Sequence, residues 1–90
     1  MEKFNIGIEI LKEQVTDIIV CVEAENIIEA EKIALEKLRQ LKRNNNAKFE
    51  LAVDKIKNFE WDDCGYTIND LSIDKYPLEH YSPNIDFTKQ

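Results

Sequence analysis

Glycine is scarce in this chain, with Gly7 and Gly65 the only two in 90 residues. A phosphate-cradling loop or a dinucleotide fingerprint needs several glycines within a few positions, so both are excluded, and nucleotide enzymes with them. Histidine is scarcer still: His80 stands alone, which excludes a multi-histidine metal centre within one chain. The two cysteines, Cys21 and Cys64, lie far apart and form no C-x-x-C knuckle. A centre assembled from Cys21, Cys64, His80 and an aspartate competes with the plainer reading of two packed thiols and a surface imidazole, and the plainer reading is preferred. A catalytic pairing of a cysteine with His80 needs the same coincidence. No metal or cofactor is therefore expected. Nothing marks the chain for secretion, so reduced thiols are preferred to a disulfide. No apolar run approaches the roughly 20 residues that cross a bilayer. The start, Met1-Glu2-Lys3-Phe4-Asn5, has neither the basic nor the apolar region of a signal peptide, and the expected location is cytoplasmic.

What the chain has in quantity is charge, mostly acidic. The formal net charge is −6 and the sequence pI is near 4.7, which argues against direct contact with a nucleic-acid backbone or an anionic membrane. A partner with a basic surface fits. Hydrophobic residues at 43% beside charged residues at 33% describe a folded chain, and this length closes one core.

Phe4, Ile6, Ile8 and Ile10 alternate with Asn5, Gly7, Glu9 and Leu11, the period of a strand with one apolar row. After a polar connection, Ile18, Val20, Val22 and Ala24 repeat the pattern, giving a hairpin. Ile19 and Cys21 are apolar on the second strand's other face, so this strand is expected to be central or to have a neighbour covering part of that face. Asn26 is a good helix cap with Glu29 three positions on, the capping-box spacing. Ile27, Ala30, Ala34, Leu38 and Leu41 then fall on one stripe, with Ile33 and Leu35 at its margins. Arg39, Lys42 and Arg43 gather late, as the helix dipole favours, and Asn44-Asn45-Asn46 ends the run. Phe49, Leu51 and Val53 alternate once more and predict a third strand. Ile56, Phe59 and Trp61 are out of phase with them, which a β-bulge near Asp54 and Lys55 or a short break in the strand would repair. Asp62-Asp63-Cys64-Gly65 marks a turn before a fourth strand that begins at Tyr66, although residues 69–75 also suit a short helix. Pro77 and Pro83 predict an irregular tail. The expected fold class is α+β, a single domain over residues 1–75 with an antiparallel sheet in β-β-α-β-β order and one helix across one face, followed by the irregular tail over 76–90.

The stretch "FNIGIEI…VTDIIVCVEAENIIEAEKIALEKL" resembles the small DpnD/PcfM-like domains of phages and mobile elements. In those domains two strands lead through a V-x-A-x-x-x-x-E-A junction into a helix. The resemblance covers residues 4–60 and implies a mobile-element setting, with no catalytic residue to carry over.

Residues of chemical interest are few. Asp70, Ser72 and Asp74 alternate as at the start of a calcium loop, but Lys75 stands at the obligatory glycine and Tyr81 at the bidentate glutamate. No carboxylate pair is singled out by spacing for acid–base work, so the chain is read as a non-enzyme. Acids do collect around the expected last turn: Glu60, Asp62, Asp63, Asp70 and Asp74, with Trp61, Tyr66 and Tyr76 among them. Aromatics beside acids make a contact surface that docks on basic ground, while the alternative is a core edge with solubilising acids. These eight residues form the expected partner-binding site. The function that follows is inhibition of a host nucleic-acid-handling protein, such as a nuclease, by an anti-defence protein of the anti-CRISPR type. A toxin-neutralising immunity protein, and a homodimer or larger assembly joined through an edge strand, are the rival readings.

Overall fold

The computed structural model describes residues 1–11, 15–57 and 67–89. Strand β1 (Glu2–Leu11) and strand β2 (Val15–Ala24) form the expected hairpin. Their ladder runs unbroken from Leu11 opposite Val15 to Glu2 opposite Ala24. Because the side-chain period is two, that register sets Phe4, Ile6 and Ile8 beside Val22, Val20 and Ile18 on the front face. All six are buried. Each buried aliphatic side chain contributes about 1.5–3 kcal/mol, so this face is the main source of stability.

Helix α1 (Ile27–Asn44) lies against that face and buries Ala30, Ala34 and Leu38. Its start is fixed as expected: the Asn26 side chain accepts from the Glu29 backbone N–H at 2.9 Å. Its end is not the left-handed stop that asparagine often makes. Asn45 has φ of −148° and ψ of 68°, outside the left-handed region. Its backbone N–H closes α1 on the Leu41 carbonyl at 2.8 Å, while its side chain accepts from the Lys48 N–H at 3.3 Å. One asparagine therefore caps the end of one helix and the start of the next.

That next element corrects the sequence reading. Residues expected to form a strand are helix α2 (Asn46–Lys57). Phe49 and Val53, four apart, enter the core, whereas Leu51, which strand alternation would bury with them, is 57% exposed. The spacing 49, 52, 53 is helical, and a helix that runs on through residue 56 needs no bulge. The sheet therefore carries two helices rather than one. The expected bulge near Asp54 and Lys55 falls inside α2.

Strand β3 (Thr67–Tyr76) resolves the choice between strand and helix at residues 69–75 in favour of strand. It pairs antiparallel with the outer side of β1, with a register shift between Ile8 and Glu9. Residues 77–89, within the expected irregular tail, cross behind the sheet and end beside β2. There strand β4 (Ile85–Asp86) pairs in parallel with Val20 and Cys21. Asn84 N–H donates to the Ile19 carbonyl at 2.7 Å and Phe87 N–H to the Cys21 carbonyl at 2.9 Å, and the Asn84 side chain accepts from Ile19 N–H at 2.8 Å. The sheet order is β3-β1-β2-β4: an α+β fold with a mostly antiparallel sheet and two helices on one face.

Candidate functional site

The helices fill the front of the sheet, so any site made by the strands faces the back. The odd-numbered positions point there: Asn5, Gly7 and Glu9 of β1, and Asp17, Ile19 and Cys21 of β2. Residues 77–84 cross over one end of this face. Asn5 Nδ2 donates to the Tyr81 carbonyl at 2.8 Å, and Asn5 and Cys21, directly opposite each other, are buried. The sequence pattern at Ile19 and Cys21 implied such a cover.

Tyr76 anchors the crossing. Its ring lies on Gly7, close enough that a Cβ there would overlap Cε2 and come within 2.7 Å of Cδ2. Glycine in the middle of a strand is explained by this close approach. Tyr81 meets Tyr76 edge to face, with ring centroids 4.9 Å apart. The Tyr76 hydroxyl donates to Asp17 Oδ2 at 2.6 Å. That bond, together with burial and the charges of Asp17 and Asp74, pushes the phenol up to about 12.

Beyond the crossing, the back face is acidic among the described residues. Glu9 and Asp17 are direct cross-strand partners, an arrangement of like charges that destabilises a sheet. Each carboxylate is held by a neutral donor: Asn69 Nδ2 gives a hydrogen bond to Glu9 Oε1 at 2.8 Å, and Tyr76 gives one to Asp17. Neutral donors satisfy the oxygens without cancelling the charge, so the two half-buried carboxylates stand side by side with no charge offset from these donors. Asp74, opposite Gly7 on β3, is exposed beside them. Helix α1, on the other face, carries both signs of charge, with Glu29 in its first turn and Lys42 and Arg43 in its last.

Of the eight residues expected to contact a partner, Glu60, Trp61, Asp62, Asp63 and Tyr66 lie outside the described residues, as does Cys64. Asp70 lies in the irregular part of β3. Asp74 and Tyr76 are brought together on the back face, but Tyr76 is engaged by Gly7 and Asp17. The residues that sequence reading missed are Glu9, Asp17 and Tyr81. Glu9 and Asp17 were visible as odd positions of the two strands, yet their opposition needs the register. Tyr81, 46% exposed, joins the face only through the path of the crossing.

The described residues offer little reactive chemistry. Burial, and secondarily the Asp86 charge, push the Cys21 thiol up, away from the thiolate a nucleophile needs. Asp86 is held below its ordinary range by hydrogen bonds from the Thr88 hydroxyl and backbone N–H. Among the described residues no group of three His, Cys, Asp or Glu side chains could hold a metal ion, and no helix is long and apolar enough to cross a membrane. No family model, curated protein or solved structure matches the chain.

Proposed function

We propose that this protein works by binding rather than by catalysis, and that its acidic sheet face occupies a basic groove on a nucleic-acid-handling host protein. The observation that carries the reading is the pairing of Glu9 with Asp17, a like-charge contact maintained by neutral donors. A fold gains nothing in stability from that arrangement, whereas a cationic partner would neutralise it. Asp74 extends the patch, and exposed Tyr81 supplies an aromatic contact at its border. The carboxylates take the Lys and Arg contacts that a phosphate backbone would otherwise make. The resemblance to DpnD/PcfM-like domains supports a phage or mobile-element origin and hence an anti-defence role, with a nuclease as the target class.

The test is an affinity capture from host lysate at low and moderate salt, comparing the parent with Asp74→Lys and with the double change Asp62→Lys, Asp63→Lys. A nucleic-acid-binding protein retained at low salt, lost at moderate salt and lost to either charge reversal is the expected result. Retention that ignores both salt and charge reversal would sink the proposal.

A second reading has its own observation: among the described residues β3 is a ten-residue strand at the edge of the sheet, and two such edges can pair about a two-fold axis. Light scattering distinguishes it, since a strict monomer at high concentration removes edge-to-edge dimerisation.

A further inference from the structure

Strand β1 continues past the end of its outer neighbour. β3 pairs with β1 only as far as Asn5, opposite Tyr76. The chain then turns away at Pro77, which has no N–H with which to continue a ladder. Residues 2–4 stay paired to β2 on the inner side. On the outer side they have no strand partner among the described residues. The backbone donors and acceptors of such a stretch are a template for another extended chain.

The interruption is also a cleft. It has a volume of about 410 Å³, walled by residues 2–5 of β1 and by residues 75–79, within the size range of small-ligand sites. Asn5 belongs to the wall and is fully buried. Its Nδ2 is used by the Tyr81 carbonyl, but its Oδ1 has no hydrogen-bond partner. An unpaired buried acceptor is a standing cost that an incoming donor would remove. The charges in the wall balance, Lys3 and Lys75 against Glu2 and Glu79. Lys75 is drawn over the Phe4 ring, its Nζ 5.6 Å from the centroid. A strongly charged ligand therefore gains little here, while an amide backbone loses nothing. Leu78, 49% exposed, offers apolar surface at the lip.

The geometry points to this cleft as a strand-addition site for an uncharged, extended peptide segment of a partner protein. The peptide pairs with residues 2–4 of β1 in line with β3, supplies a donor to Asn5 Oδ1, and sets one apolar side chain against Leu78. The site is separate from the acidic patch and does not depend on it.

The experiment is an amide NMR titration of the whole chain with the capped pentapeptide acetyl-Thr-Val-Thr-Val-Thr-amide. The control is the same peptide N-methylated at alternate amides. Saturable shifts confined to residues 2–5 and 75–79, including the Asn5 side-chain amide, are expected, with a Kd on the order of 1 mM. N-methylation should weaken binding at least about tenfold by removing the ladder donors, and Leu78→Asp, an exposed change, about fivefold through lost apolar contact. Absence of saturable shifts, shifts confined to the outer edge of β3, or an equal response to the N-methylated peptide overturns the assignment.

Discussion

Replacing Gly7 by alanine should destabilise the protein, the reverse of what this change does in an unobstructed strand. There, alanine gains about 0.5–1 kcal/mol over glycine by restricting the unfolded chain. Here the new Cβ overlaps Tyr76 Cε2 and lies 2.7 Å from Cδ2 and 3.1 Å from Cζ, so the ring must leave. These are atoms in the body of the ring rather than the end of a flexible chain, and the ring is tethered at its far side by the hydroxyl bond to Asp17. Leaving forfeits that bond, worth about 1.5–3 kcal/mol to a charged acceptor. It also forfeits the edge-to-face contact with Tyr81, worth about 0.5–1.5 kcal/mol. Set against the backbone gain, the net loss is about 2 kcal/mol. In urea unfolding followed by circular dichroism, that shifts the midpoint by about 1–2 M, and the melting temperature falls by about 10 °C. The double change with Tyr76→Ala isolates the cause, because with no ring present Gly7→Ala should return to a small stabilisation. A neutral or stabilising Gly7→Ala in the parent background, or an equal effect in both backgrounds, would refute the account of the back face.

Two further outcomes are expected from the packing and the electrostatics. The Tyr76 phenol stands at about 12 against an ordinary 10.0, chiefly through its bond to Asp17. Between those values the unfolded state has released a proton that the folded state retains, so stability is fully supported below about pH 10 and falls as the pH rises towards 12. The loss is about 1–2 kcal/mol after allowance for solvent screening. Urea midpoints at about pH 9 and about pH 11.5 check it, and a Tyr76→Phe variant that declines equally would contradict it. Phe49→Ala should cost about 3–5 kcal/mol, while Leu51→Ala, on the exposed side of α2, should change stability by less than about 0.5 kcal/mol. Equal losses from the two would restore a strand at residues 46–57.

The first half of the fold was legible because each signal there was redundant. Alternation in β1 and β2 was long and strict, and the α1 stripe agreed with its cap and its charge gradient, so local preference and burial pointed the same way. At Phe49, Leu51 and Val53 the signal was short, and three residues satisfy a period of two as easily as part of a period of 3.6. Packing decided: Phe49 and Val53 complete the core under α1, and Asn45 starts the new helix with its own side chain. The irregular tail is a related case. Proline argues against regular structure but not against order, and here hydrogen bonds to Ile19 and Cys21 tie the chain to β2.

The candidate site divides in the same way. The primary structure makes the chain acidic, leaves its glycines too few for a phosphate loop, and gives it one histidine, which cannot build a multi-histidine centre. These are matters of composition, and no fold can alter them. It also determined which residues of β1 and β2 face away from the helices, because strand periodicity is local. Folding alone sets Glu9 against Asp17, lays Tyr76 on Gly7, and lets β1 outrun β3 to leave Asn5 beside an open cleft. Each depends on register or on the path of residues 77–84, and both are set by contacts between residues far apart in the chain, which no local pattern encodes.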